Sequence, residues 1–283
     1  MLQNTKQKLK SFFGKKSNFT DLENQNKLAN LYYLVIARTG VATLGTPKVV
    51  KVIPSPFVPI REDFLLRVAG SIEQGATHPI AGAIVREAQA WGLDLSQPRN
   101  SIYIPGMGIE GYLGKQKIHV GNRALMEKKL VQIDALQQKS GEYLAAGNMV
   151  LFVAIDGNFV GLIILHDEHD EKIKKAVKAL HSLGISVALM TADHRETALA
   201  LADKLGIERV IGGISADEKP QEIAKLLREE RYVAKLGKKH HHKPAFDAAD
   251  LAVLHGEGRE DEYDLKVESL EHLLEEIRKA KRL

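Results

Sequence analysis

Residues 31–45 read LYYLVIARTGVATLG. Leu31 to Ile36 is an apolar run of the length of a buried strand. It opens at Ala37 into a loop carrying Thr39 and Gly40. No helix of its own follows this strand. From residue 166 onward, strand-like and helix-like segments alternate. EKIKKAVKALHSLG (171–184) is amphipathic and stops at Gly184. ISVALMTAD (185–193) is a buried-type strand, RETALALADKLG (195–206) a helix and ERVIGG (208–213) a short strand. DEKPQEIAKLLREE (217–230) is a helix, and YVAKLG (232–237) and ADLAVL (249–254) are strands. In the closing helix, 267–283, Val267, Leu270, Leu273, Leu274 and Ile277 share one face. Such alternation predicts an α/β fold, a Rossmann-like parallel sheet with helices on both sides. The strand at 31–36 then belongs to this later sheet, and residues 48–165 form a domain inserted behind it.

The insert has its own pattern. PKVVKVIPSPFVPI (47–60) reads as a proline-punctuated link, and 61–74 and 80–92 as two helices. SIYIPGMGIEGYLGKQKIHVGN (101–122) alternates around glycine turns, as a meander of strands does. VLFVAIDGNFVGLIIL (150–165) is cut by Asp156-Gly157 and reads as a hairpin, not as a membrane span. The expected division is 1–29 as a basic extension, 30–47 plus 166–283 as a split parallel domain, and 48–165 as an α+β insert.

A chain of 283 residues can bury two cores. Net charge is +4, and Lys6, Lys8, Lys10, Lys15 and Lys16 place a local excess in the first 20 residues. That arm reads either as a solvated tail or as an amphipathic contact with anionic lipid or an acidic partner. It lacks the apolar core of a signal peptide. There is no cysteine, which excludes disulfides and thiolate metal sites and fits a reducing cytoplasm. No basic patch is interleaved with aromatics in a nucleic-acid reader motif, so a nucleic-acid partner is not expected.

The layout resembles the cytoplasmic nucleotide-binding and phosphorylation domains of the heavy-metal-transporting P-type ATPases, in the haloacid dehalogenase superfamily. SIEQGATHPIAGAIV (71–85) resembles their His-Pro segment, with Glu73 ahead of His78-Pro79. PGMGIEG (105–111) resembles their GxGxxG, and VGN (120–122) follows. The resemblance spans about residues 31 to 283. It implies that Glu73, His78, Gly106, Gly108 and Gly111 match an adenine and phosphate pocket. A plainer reading is that His78 caps its helix and the glycines serve tight turns.

The resemblance also implies a lost reaction. The family's phosphorylation loop, DKTGTLT, matches Ala37 through Thr43, so a methyl group stands where the nucleophilic carboxylate is expected. Its GDGxND loop matches Gly237 through His242, with Lys238, His241 and His242 at the metal-binding positions. Thr39, Thr191, Asp193 and Lys219 match positions that keep their residue. Phosphoryl transfer of this kind needs a carboxylate nucleophile and a Mg²⁺ held by hard oxygen ligands. The expectation is therefore not an enzyme but a pseudo-ATPase. It would have no pore and no resident metal, and would act as a structural or adaptor subunit with protein partners in a larger, cytoplasmic or membrane-associated assembly. Two alternatives stay open. One is a nucleotide sensor that holds ATP or ADP without turnover, and the other is a hydrolase with a non-standard site. His240-His241-His242, flanked by lysines, reads as a solvated basic loop, because neighbouring side chains diverge. HDEHD (166–170) reads as a hinge in preference to a metal site, and GEGREDEYD (256–264) as a solvated acidic loop.

Overall fold

The computed structural model describes residues 19–169, 171–229, 232–239, 243–257 and 262–282. Helix α1 (Phe19–Ala29) precedes strand β1 (Tyr33–Ala37). The insert begins with β2 (Lys48–Pro54), α2 (Glu62–Glu73) and α3 (Pro79–Ala90). The meander β3 (Arg99–Ile104), β4 (Gly108–Leu113) and β5 (Gln116–Gly121) follows, then α4 (Arg123–Lys128), α5 (Gln137–Ala145), β6 (Met149–Ile155) and β7 (Asn158–His166). The remainder is α6 (Glu171–Ser182), β8 (Ser186–Met190), α7 (Arg195–Leu205), β9 (Arg209–Ile211), α8 (Lys219–Glu229) and β10 (Val233–Gly237). It ends in α9 (Lys243–Asp247), β11 (Leu251–His255), β12 (Leu265–Val267) and α10 (Leu270–Lys281).

Two sheets result. One is six-stranded, in the order β12-β11-β10-β1-β8-β9, with every pairing parallel. β1 lies at its centre, in register with Tyr33 on Val233 and on Ser186. Alternate residues of β1 feed two cores. Leu34 and Ile36 pack with apolar residues of α6, α7 and α10, and Tyr33 and Val35 with Ile223 and Leu226 of α8. All five residues of β1 are buried, which is why the run shows no polar alternation. Each fully buried aliphatic side chain there contributes about 2 kcal/mol.

The other sheet is antiparallel, in the order β2-β7-β6-β5-β4-β3, with α2 and α3 over one face. The expected hairpin is present: Asp156 and Gly157 both take positive φ, at 50° and 80°, as a tight two-residue turn requires.

Several sequence expectations need correction. Residues 48–54 form a strand paired with β7, not a link; the prolines fall only at its end and beyond. The extension read over 1–29 contains α1, which buries Leu28 in the core shared with α10. Val267 belongs to β12, and the closing helix starts at Leu270, with Ser269 accepting a hydrogen bond from His272 N–H. Helices α4, α5 and α9 were not anticipated. Part of the acidic run, 258–261, lies outside the described residues, as does the basic arm 1–18.

Candidate functional site

Ala37 closes β1, and its methyl group is buried beside Val41 and Ala42. The chain then turns through Arg38–Ala42, with Gly40 at φ 70° and Thr43 N–H donating to the Arg38 carbonyl at 3.0 Å. Thr39 is half-buried in this turn. The Arg38 side chain is only 2% exposed and its Nη1 donates to Asp193 Oδ2 at 3.1 Å. Thr191 Oγ1 donates to the same oxygen at 2.6 Å, and Asp193 N–H donates back to Thr191 Oγ1. Burial pushes the Asp193 carboxyl up, but the Arg38 charge, the bonds from Thr191 and Arg38 and the Lys219 charge outweigh it. The carboxylate stays below its ordinary value.

Lys219 begins α8, half-buried; burial lowers its affinity for a proton, and Asp193 acts against that. Lys235 sits within the sheet on β10 at 3% exposure, its Nζ donating to the Leu236 carbonyl at 3.3 Å. Burial, then the Lys219 charge, bring its ammonium down to about 7. Lys238 follows β10 and lays its stem over the loop after β1. A Cβ placed on Gly40 would lie 2.6 Å from Lys238 Cε and 3.4 Å from its Nζ. His240, His241 and His242 lie outside the described residues.

Among the described residues this donor set does not fit Mg²⁺. Ala37 offers no side-chain oxygen, Asp193 is engaged by a guanidinium, and an ammonium lies over the loop. Mg²⁺ needs near-octahedral oxygen ligands, which cations beside it disfavour.

The second group of candidates lies on the insert. Glu73 ends α2 at 7% exposure, and burial pushes its carboxyl up to about 7. His78 caps α3: its Nδ1 accepts from Ile80 N–H at 3.3 Å. Its ring stacks on Tyr103, with centroids 6.3 Å apart and planes 24° apart. Burial lowers the His78 pKa, and the field of Asp193 opposes this. Gly108 and Gly111 are required by packing: a Cβ at Gly108 would meet the Val120 carbonyl at 2.2 Å, and one at Gly111 the Ile72 side chain at 2.8 Å. Gly106 faces Ala192, Ser215 and Ala216 across the two sheets, 3.6 to 3.9 Å from where its Cβ would stand. Asn122 Nδ2 donates to the Gly106 carbonyl at 2.8 Å and fixes that turn. The structure thus brings Glu73, His78 and the glycines together, and gives His78 and the glycines tasks internal to the insert.

The HDEHD segment joins the two bodies. Asp167 is buried and accepts from Thr43 Oγ1 at 2.5 Å and Thr46 N–H at 3.1 Å. Leu44 N–H donates to the Glu168 carbonyl at 2.8 Å. His166 pairs with Asn148, and His169 lies near Glu171. Among the described residues no group of three or more potential metal ligands converges. Asp170 is outside them.

Three residues that shape the site were not singled out by sequence: Arg38, Lys235 and Tyr103. A lysine in the middle of the apolar run VAKLG was the available signal for Lys235. Nothing local marks Arg38 as buried, because its partner lies 155 residues downstream.

Residues 38–242 match the haloacid dehalogenase-like hydrolases. The chain is 35% identical over 236 residues to the copper-exporting P-type ATPase of Bacillus subtilis (strain 168), covering 83% of this chain and 29% of that protein. It is 32% identical over 247 residues to the silver exporting P-type ATPase of Salmonella typhimurium, covering 87% of this chain and 29% of that protein. The chain thus spans under a third of the length of these relatives. A crystal structure of a zinc-transporting PIB-type ATPase matches 92% of this chain and 42% of its own, with a TM-score of 0.59 and 27% identity. The catalytic domain of the CPx-ATPase CopB-B matches over 94% and 93%, with a TM-score of 0.69; at 21% identity that likeness speaks to the fold alone.

Proposed function

This chain belongs to the haloacid dehalogenase-like hydrolase family, and from that premise we propose that it is a P-type-ATPase-like pseudoenzyme, a structural or adaptor unit of a larger assembly at the cytoplasmic side of a membrane. The observation that carries this reading is the end of β1. Ala37 presents a methyl group, and the adjacent Arg38 guanidinium takes up Asp193 at 3.1 Å. A nucleophilic oxygen and a hard-oxygen metal site are both needed for phosphoryl transfer, and this strand end supplies neither. Among the described residues no helix is long and apolar enough to cross a membrane. The partner is then a protein that docks on a fold kept for its surface, and the basic arm 1–20 adds a peripheral contact with anionic lipid.

The test is direct. Purified chain is incubated with ATP, acetyl phosphate and an aryl phosphate, with and without Mg²⁺. The expected result is no covalent phosphorylation and no phosphate release. Mg²⁺-dependent turnover that disappears in Thr191→Ala or Lys219→Ala overturns the reading.

A second reading, a nucleotide sensor without hydrolysis, is favoured by one observation: His78, beside the buried end of α2 at Glu73, stacks on Tyr103 with centroids 6.3 Å apart. Calorimetric titration of ATP and ADP into the chain and into His78→Ala decides it. Binding that is lost in the variant supports the sensor, and no binding at millimolar ligand removes it.

A further inference from the structure

Helices α2 and α3 form a hairpin, so the start of α2 and the end of α3 lie together, at the far end of the pair from Glu73 and His78. The twelve residues of α2 put about 17 Å between its two ends. An open cleft of about 540 Å³ lies at the far end, lined by Pro54, Ile60, Arg61, Glu62, Asp63 and Trp91. We propose that this cleft takes the arginine side chain of a partner protein, with the Trp91 indole stacked on the guanidinium and Glu62 and Asp63 accepting its N–H groups. The inference rests on the adaptor reading above only for the source of that arginine.

The first observation is the tryptophan. Trp91 is the only one in the chain, and it is 43% exposed where α3 ends. Its Nε1–H donates to Glu87 Oε1 at 2.8 Å, which holds the indole in place and occupies its one polar atom. The π surface of the ring is left for a ligand, and indole attracts cations there more strongly than the other aromatic side chains do. Pro54 and Ile60 give the cleft apolar walls. The loop ahead of Ile60 also carries Phe57, 80% exposed, an apolar contact for the residues that flank an incoming arginine.

The second observation is charge. Glu62 and Asp63 line the cleft and Glu87 holds its tryptophan, against one lining cation among the described residues, Arg61. Such a setting repels an anion and attracts a cation. Asp63 is fixed by the Phe64 N–H, which donates to its Oδ1 at 2.8 Å. Arg61 Nε lies 3.4 Å from the same oxygen, with the arginine side chain 87% exposed and that of Asp63 43%. A pair so exposed contributes little, so an incoming guanidinium displaces it at small cost. Arginine suits the cleft better than lysine: its planar group stacks on indole and meets a carboxylate with two parallel N–H bonds. The start of α2 accounts for acids at Glu62 and Asp63. It does not account for a tryptophan beside them with nearly half of its surface in water.

The experiment uses the tryptophan fluorescence of the intact chain, which reports Trp91 alone. The probe is acetyl-leucyl-arginyl-leucine amide. The citrulline peptide of the same shape, which lacks the charge, is the control, and a lysine peptide and tetramethylammonium test which cation is recognised. The expected result is a saturable change in Trp91 emission at millimolar or lower arginine peptide. The citrulline peptide should bind about tenfold more weakly, and the lysine peptide and tetramethylammonium about threefold more weakly or worse. The double variant Glu62→Gln, Asp63→Asn keeps an oxygen for the Phe64 N–H and should weaken the arginine peptide about tenfold. No saturable change, a citrulline or lysine peptide or tetramethylammonium that binds as tightly as the arginine peptide, or equal affinity in the double variant overturns the inference. The peptide comparison is made on the wild type, so it stands whether or not the variant folds. The proposed function is tested by turnover, so failure of the arginine peptide leaves that function standing while this inference falls.

Discussion

Replacing Lys235 with methionine should make the protein more stable, by an amount that depends on pH in a calculable way. The lysine is 3% exposed, held between Val35 of β1 and Ala252 of β11 in the register of the sheet. Its folded-state value falls from 10.5 to about 7. The unfolded lysine keeps its proton up to its ordinary value, and the folded one releases it near neutrality. Between those two values the unfolded chain binds more protons, and stability rises with pH. At about 1.4 kcal/mol per unit, burial of this amine costs the native state about 4 kcal/mol at pH 7, where it is half-titrated. Methionine has a similar length and no charge, and gives up only the bond from Nζ to the Leu236 carbonyl, worth about 1 kcal/mol. The expected gain is about 3 kcal/mol at pH 7, shrinking by about 1.4 kcal/mol per unit toward zero near pH 10. Urea unfolding of wild type and Lys235→Met at pH 7, 8, 9 and 10 measures this, since groups common to both cancel in the difference. A variant that is less stable at every pH, or whose advantage does not change with pH, refutes the reasoning about burial.

Glu73→Gln should act in the opposite direction along the pH axis. The folded carboxyl keeps its proton from 4.5 up to about 7, so wild-type stability drops across that window as pH rises. The variant should gain up to about 3 kcal/mol over wild type between pH 4.5 and 8, read from thermal melts at both ends. Asp193→Asn leaves the Arg38 charge buried without its carboxylate and should destabilise by about 3 kcal/mol in neutral-pH denaturation. Because the Asp193 carboxyl is held below its ordinary 3.8, wild type should lose that advantage as pH falls below 3.8 through the lowered folded value, and the variant should show no such loss. Asp167→Ala removes acceptors for Thr43 Oγ1 and Thr46 N–H and should cost about 2 kcal/mol. Urea unfolding measures it, and an unchanged midpoint counts against Asp167 as the group that fixes the loop after β1.

The parallel sheet was legible because its strands are short, apolar on both faces and separated by amphipathic helices with plain stops. Gly206, at φ 72°, ends α7 as the sequence indicates. The Asp156-Gly157 hairpin was legible for a similar local reason. β2 was missed because its partner, β7, lies more than a hundred residues away, and KVVKVIP followed by further prolines reads locally as a link. α1 was missed because its segment is mostly polar and its burial comes from α10, at the other end of the chain. The site divides in the same manner. Ala37, Lys238 and the His-Pro segment could be placed from their neighbours in sequence. The Arg38–Asp193 pair could not, because it depends on how β1 and β8 lie side by side. The capping role of His78 was available beforehand as the plainer of two readings, and the structure shows that bond.

The pairing of Lys48 with His166 places the first residue of the insert opposite the first residue after it, on neighbouring strands. Topologically, the whole antiparallel body is a side branch on the parallel one, attached at a point where the chain departs and returns within the width of a ladder rung. The branch also touches the parallel body away from this point, where Thr197 Oγ1 donates to the Asn148 carbonyl at 3.1 Å. In chain topology the protein is modular at this seam, and the two sheets share no strand.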